Sequence, residues 1–392
     1  MTKNLRELEQ LQQNLEYQNG ELRVFIADVL ALENRNEEDM KARMIEVENL
    51  VNTYGWVVIL QHVQKRGTPD YKNYIWGGKL EEIMQEMQEQ NANLLILWNI
   101  LKPIQIYNIN EKLKTIGAKA WDRIDLILKI FEKNAKTMES RLQIELASIK
   151  HMWPRIFGMS EELWSQWSGG SKLSRWKWET NTEIMKRHLK EREIHIKKDL
   201  EQYKKVRAEH RKSRNKRGMS TVWIVWYTNA WKSSLMNVLT GKWVLAENKL
   251  FATLGTSVGK MYIENHFDES GLFLKQKDVL INDTIGFIRD LPPNLIQAFA
   301  STLEDSIESD ILLHVIDASD PKLEEKIQVV DDILKKIWAT QEKIYVFNKI
   351  DMISKEDCEV LKNKFSSLNP LFISTYLWEG IEDLKQIILQ KV

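Results

Sequence analysis

Cysteine is nearly absent. Cys358 is the only one in 392 residues, so no disulfide can form within the chain and a reducing compartment is expected. Long apolar runs are absent too. None approaches the roughly 20 residues that a membrane-spanning helix needs. The opening stretch, MTKNLRELEQLQQNLEYQNG, is polar and charged and lacks the apolar core of a secretion leader. These absences point to a cytoplasmic protein with no membrane span. The seven histidines and the lone cysteine show no metal-ligand spacing, and the G-x-S-x-G pattern of a nucleophile elbow does not occur. Net charge is missing as well: 56 Lys and Arg balance 56 Asp and Glu.

That balance hides a segregation. Residues 186–217 hold 14 Lys and Arg against 5 Asp and Glu, whereas residues 218–392 hold 18 against 25. A basic segment beside an acidic domain suits a polyanionic partner, although a solvated helix face produces the same count. Strands are expected at LRVFIADVL, WVVILQHV and NLLILWN, with helical patterns over 37–52 and at GGKLEEIMQEMQEQ. The alternation predicts an α/β domain over 1–125. From Asp125 apolar residues recur every three or four positions to about residue 152, and a second helical stretch runs from about 179 to 216. The stretch between, RIFGMSEELWSQWSGGSKLSRWKW, has no clean period. A helical hairpin with a basic second arm is therefore expected over 126–217, with RKSRNKRG as linker. Apolar runs at TVWIVW, KDVLIND, DILLHVID, KIYVFNK and PLFIS then predict a mainly parallel sheet, covered by helices, over 218–392.

Four pieces of a guanine-nucleotide site follow in order along that last region. A phosphate-binding loop reads G-x-x-x-x-G-K-[ST] between a strand and a helix. Here WYTNAWKS supplies Trp226, Tyr227, Thr228, Asn229, Ala230, Trp231, Lys232 and Ser233, with Ser234 behind them. Lys232 suits the β- and γ-phosphates, and the Ser233 hydroxyl suits Mg²⁺. DTIG (Asp283, Thr284, Ile285, Gly286) ends a strand, where an Asp can reach Mg²⁺ through water and the Gly286 amide can meet a γ-phosphate. NKID places Asn348, Lys349 and Asp351 at the end of another. Asp351 can accept from guanine N1 and N2, donors that adenine lacks. Asn348 would brace the base, and Lys349 would lay its stem along it. Ser374, Thr375 and Tyr376 open the loop expected near the guanine oxygen. Thr253 is the first candidate for the switch threonine on Mg²⁺ and Thr256 the second. Phe287 stands where a water-orienting glutamine is common. Phenylalanine cannot polarise water, so slow intrinsic hydrolysis with stimulation by a partner is expected.

Beyond these boxes the chain resembles the HflX family of translational GTPases over nearly its whole length. LFATL, DTIGFIRDLP, LLHVIDASDP and FNKID fit the family's G domain, and DRIDLILKIF and RLQIELASI its helical segment. YIWGGKLEE resembles the family's Y-I-G-x-G-K, and GGSKLSRWKWETNTE its glycine-rich GGG…RGPGET loop. The resemblance implies a GTPase that binds the large ribosomal subunit through ribosomal RNA, as a monomer, and in some members splits stalled ribosomes. It also implies an RNA-contacting hairpin loop, in which Lys172, Arg175 and Lys177 are the cations.

Tryptophan is the anomaly. It occurs 15 times, against 11 phenylalanines and 10 tyrosines. Against the family pattern Trp226 and Trp231 take both phosphate-loop glycines, Trp76 the first glycine of Y-I-G-x-G-K, and Trp176 and Trp178 both glycines of RGPGET. Trp378 stands where GEG is usual, and Trp338 where a helix commonly ends on glycine. An amide nest around phosphate has no room for an indole. As written, the chain should bind GTP poorly. UGA is read as tryptophan in one variant code and as glycine in another, so a gene using UGA for glycine accounts for both the excess and its placement. Trp56, Trp98, Trp121, Trp153, Trp164, Trp167, Trp223 and Trp243 are not assigned individually. Three readings stay open: a ribosome-acting GTPase with those glycines restored, a ribosome- or RNA-binding pseudo-GTPase with real tryptophans, and a GTPase with a different RNA or protein partner.

Overall fold

The computed structural model describes residues 23–30, 37–135, 137–166, 172–227, 232–241, 257–261, 278–283 and 309–392. It divides into two compact units, one of residues 1–133 with 148–192 and one of 134–147 with 193–392. Each is of α/β character, as expected, and a long helical segment runs through both.

The first unit is built on four parallel strands: β1 (Arg23–Leu30), β2 (Val57–Lys65), β3 (Leu94–Leu97) and β4 (Lys119–Asp122), in the order β2-β1-β3-β4. Helices α1 (Glu37–Tyr54), α2 (Gly77–Glu89) and α3 (Pro103–Leu113) make the crossovers, and α4 (Arg123–Asn134) follows β4. Phe25, Ala27, Leu95 and Leu97 bury one face of the sheet against Leu80, Ile83 and Ile109. The helix expected to run on from Asp125 stops at Asn134 and restarts as α5 (Met138–Gln166). Thr137 explains the restart, because its Oγ1 accepts from the Ser140 amide at 3.1 Å and caps the new helix.

Four charged side chains hold α5 to the end of β4. Asp122 is fully buried and accepts from the Ile124 and Asp125 amides at 2.9 and 3.0 Å, capping α4. Arg155 reaches both Asp122 (2.6 Å) and Asp125 (2.9 Å), and His151 lies 3.4 and 3.3 Å from the same two carboxylates. Burial opposes the charge on His151, but hydrogen bonds to Asp122 and Asp125 outweigh it and raise its pKa to about 9. Two carboxylates thus face two cations.

The basic arm departs from expectation. Residues 172–178, expected in a glycine-rich loop, lie inside one helix, α6 (Lys172–Lys216), so Lys172, Arg175 and Lys177 are in its first turns. Only residues 167–171 separate α5 from α6, and Gly169 and Gly170 are among them. As written, residues 172–182 contain neither glycine nor proline, and nothing interrupts the helix. The expected linker is helical as well, through Lys216, and the chain turns at Gly218 with φ +68°.

The second unit carries a six-stranded sheet: β5 (Ser220–Trp226), β6 (Ser257–Lys260), β7 (Val279–Asp283), β8 (Ile311–Asp317), β9 (Glu342–Asn348) and β10 (Leu371–Phe372), ordered β10-β9-β8-β5-β7-β6. All pairs are parallel except β6 on β7, an antiparallel edge that the apolar pattern did not signal. Helices α7 (Lys232–Thr240), α8 (Leu323–Lys336), α9 (Lys355–Lys364) and α10 (Ile381–Lys391) accompany it. Val222, Ile224, Leu313 and Val346 form its inner core with Leu235, Leu239 and Leu384.

Two tryptophans sit on backbone that side chains avoid. Helix α8 ends in a Schellman turn: the Ala339 amide donates to Leu334 O (3.0 Å) and the Trp338 amide to Lys335 O (3.1 Å). Trp338 is the left-handed residue, with φ +60° and 82% exposure. The same six-to-one bond closes α1 at Gly55, α2 at Asn91, the turn after α3 at Gly117 and α6 at Gly218, each with positive φ. Trp378 is the second case, with φ +62° and 61% exposure in the turn where Ser374 and Glu379 exchange backbone bonds of 3.0 and 3.1 Å. Trp76 is different: its φ of −63° suits any residue. Left-handed backbone costs a side-chain-bearing residue roughly 1–2 kcal/mol. Trp338→Gly is therefore expected to raise unfolding free energy by about 1 kcal/mol, while Trp338→Ala, which keeps a Cβ, brings no such gain. Denaturant titration of the three chains decides it.

Candidate nucleotide site

Because β5, β7, β8, β9 and β10 run parallel, their carboxyl ends share one edge of the sheet. That edge is where an open α/β sheet binds ligands. Trp226 ends β5 there, buried against the core, and Tyr227 follows, half-buried, with Lys326 Nζ 5.0 Å from its ring centre. Lys232 and Ser233 open α7, with Ser234 half-buried behind them, so the expected strand and the expected helix are in place. Asp283 ends β7 in register with Ile224 of β5. Thr228, Asn229, Ala230, Trp231, Thr253, Thr256, Thr284, Ile285, Gly286 and Phe287 lie outside the described residues.

The residues expected to read the base are brought together by β9 and the turn after β10. Asn348 is fully buried, and its Oδ1 accepts from the Thr375 amide at 3.1 Å. Its Nδ2 has no partner among the described residues. A buried amide donor without an acceptor is costly, and a purine ring nitrogen would satisfy it. Ser374, also buried, donates from Oγ to Asp351 and accepts from the Leu377 amide at 3.0 Å. The Asp351 carboxylate is thereby aimed while staying exposed. Gly380 holds this turn against β10, since a Cβ there would lie 2.6 Å from Phe372 O. Tyr376 is at the surface, 80% exposed.

One contributor was missed from the sequence. Asp317, the last residue of β8, pairs through Oδ2 with Lys349 Nζ. Its other oxygen accepts from Ser319 N (3.0 Å) and Ser319 Oγ (2.6 Å). Lys349 is left-handed, φ +67°, so its ammonium is held to the neighbouring strand end while its backbone turns the loop. The available signal was the Asp of VIDASDP, in register with Asn348.

With this geometry in view, the relatives decide the family. Residues 41–132 match a family described as GTP-binding GTPase N-terminal, 134–214 the GTP-binding GTPase middle region, and 221–349 the 50S ribosome-binding GTPase family. GTPase HflX of Caldanaerobacter subterraneus subsp. tengcongensis is 40% identical over 309 residues, 79% of this chain and 69% of that protein. GTPase HflX of Escherichia coli K12 is 32% identical over 377 residues, 96% and 84% of the two chains. The chain belongs to the HflX family of GTPases. In three dimensions it is similar to SsGBP, solved as a complex with GDP, with TM-score 0.51 and 26% identity over 94% of this chain and 98% of that one.

In this HflX-family chain Asp317 is expected to act through Lys349. With Trp226→Gly and Trp231→Gly as background, Asp317→Ala should weaken GDP binding about tenfold, a charged hydrogen bond's worth. In a Lys349→Ala background the same change should add nothing. Calorimetry of the four chains reads the coupling; additive losses would sink the assignment.

Proposed function

We propose that this GTPase binds guanine nucleotide at the carboxyl edge of its C-terminal sheet and, in the GTP state, associates with the large ribosomal subunit and splits or rescues stalled ribosomes. The joint placement of Asn348, Asp351, Ser374 and Thr375 at the carboxyl edge of the parallel sheet carries the reading. Asp351 accepts from guanine N1 and N2, and Asn348 Nδ2 donates to the base. Lys232, Asp283 and the amides of 226–231 and 284–286 serve the phosphates. Hydroxyls at Ser233 and Thr253 would hold the Mg²⁺ that P-loop GTPases generally use. Residues 1–125, 126–217 and 218–392 act as α/β domain, hairpin and G domain, in a cytoplasmic monomer. Support for the ribosome comes from the family matched by residues 221–349 and from the 14 Lys and Arg of residues 186–217, which would displace counterions from RNA.

We further propose that the polypeptide made in its own cell carries glycine at 226 and 231. The left-handed tryptophans at 338 and 378 support it, one at a helix end that commonly takes glycine and one where the family pattern has glycine. Tryptic peptides of the native protein should contain glycine at all four, and the codons should be UGA; UGG codons there would end the idea. Expressed side by side, the chain as written should show no measurable GDP binding, and the Trp226→Gly, Trp231→Gly chain should bind in the presence of magnesium. Tight binding by the unaltered chain would instead leave the tryptophans genuine.

Asp351→Asn, in the glycine background, replaces an acceptor with a donor. Affinity for GDP should fall about 10- to 100-fold, and xanthosine diphosphate, with a carbonyl at C2, should become the better ligand. Unchanged GDP affinity would place the base elsewhere. Co-sedimentation with large subunits, with a non-hydrolysable GTP analogue and repeated at raised salt, tests the ribosomal partner.

A further inference from the structure

The loop between β2 and α2, residues 66–76, is braced far beyond what a connection needs. Asp70 Oδ1 accepts from the Lys72 and Asn73 amides at 2.9 and 2.6 Å. Asp70 and Tyr74 exchange backbone bonds of 2.9 and 3.0 Å. From α3, Gln105 Nε2 donates to Asp70 O (2.8 Å) and Asn108 Nδ2 to Lys72 O (3.0 Å). At the loop's far end Tyr74 takes the left-handed conformation, φ +62°, and sends its hydroxyl into the core to Asp28 at 2.5 Å. Five side chains and a strained backbone thus fix one short segment.

What that segment presents is Tyr71. Its ring is 62% exposed, with Lys102 Nζ 4.7 Å from its centre. Lys72 follows it in the chain and Arg66 opens the same loop, both exposed. Neither they nor Lys102 has a carboxylate partner among the described residues, since the one acid in the loop, Asp70, is turned onto backbone amides. Lys79, nearby on α2, is paired with Glu82 at 2.6 Å. Arg66 also lies over the ring of Trp76, but that ring is not needed.

We propose that Tyr71 is a stacking platform for an unpaired RNA base, with Arg66, Lys72 and Lys102 neutralising the flanking phosphates. The proposal rests on the ribosomal reading above and names the surface through which the N-terminal unit serves it. A rigid aromatic ring stacks any base, and cations without partners supply the backbone contacts, which is the chemistry of single-stranded recognition. A held loop keeps the ring in place, so little ordering entropy is lost on binding.

Two probes test it on the full chain with Trp226→Gly and Trp231→Gly: an oligoadenylate strand, and purified large ribosomal subunits with a non-hydrolysable GTP analogue. Tyr71→Ala should weaken oligoadenylate binding about tenfold, whereas Tyr71→Phe, which keeps the ring, should bind like the parent. Lys102→Ala should reduce the salt dependence by about one phosphate contact. Tyr71 is exposed, so an unchanged melting temperature should accompany the loss. Oligoadenylate binding unaffected by Tyr71→Ala, or absent in the parent, overturns the proposal. So does a Tyr71→Ala chain that keeps its RNA affinity but loses the subunits, because the surface would then face a protein. A parent that binds oligoadenylate through Tyr71 but never sediments with subunits leaves the platform standing and removes the ribosomal reading.

Discussion

Parallel strand direction is the constraint on which the C-terminal unit depends. Asp283, Asp317, Asn348 and the turn after Phe372 come from segments as much as ninety residues apart, and each is delivered to one edge because its strand runs with β5. Register then matters as much as direction. Asp317 stands opposite Asn348, so the pair of strand ends that bind Lys349 and Thr375 are level. A slip of one residue would turn every side chain of β8 to the other face and bring a core residue to the site. Both faces of β8 and β9 are buried, Ile311 to Val315 and Ile344 to Phe347 being enclosed.

Where the chain must turn at that edge, a second constraint applies: the backbone needs residues without a Cβ. Gly380 meets it, and the structure gives the reason in a carbonyl 2.6 Å from any added carbon. Two residues earlier Trp378 faces a similar demand, φ +62°, and does not meet it. The tertiary fold imposes the left-handed conformation on whatever residue stands there, because the bonds between Ser374 and Glu379 close the turn independently of side chains. Trp338 shows the same dominance of backbone over residue type at a helix end. In α6 the outcome is reversed. Residues 172–178 follow local propensity, and tryptophans at 176 and 178 permit a helix that glycines, each costing about 1 kcal/mol relative to alanine, would weaken.

Much of this was legible in the residues. Apolar runs at DILLHVID and KIYVFNK announced buried parallel strands, and the polar boxes at their ends announced a candidate site at one edge, since both rest on local pattern. The Asp317–Lys349 pair was not legible, because nothing in one strand reveals the register of the next. The break at Asn134 was missed for a related reason: Thr137 is an unremarkable letter until its hydroxyl is seen on the Ser140 amide. The edge strand β6 was invisible as well. It is four residues long, and Gly259 packs against Thr240, where a Cβ would fall 2.5 Å from a methyl group.

The first unit shows how the same reasoning separates a structural cluster from a chemical one. Asp122, Asp125 and His151 lie close enough together to hold a cation. Charge balance argues against it. Arg155 already places two nitrogens on those carboxylates, and His151 is held protonated, with a pKa raised to about 9, so it has no lone pair for a metal at neutral pH. Asp122 is correspondingly stabilised as a carboxylate: burial would raise its pKa, but His151 and Arg155 bring it down to about 2. Such a closed set adds little net stability over an apolar contact, yet removing one member strands its partners in the core. Its consequence is orientation. Asp122 caps α4 and anchors Arg155 of α5 at once, so the strand end sets the position of both helices with a single carboxylate.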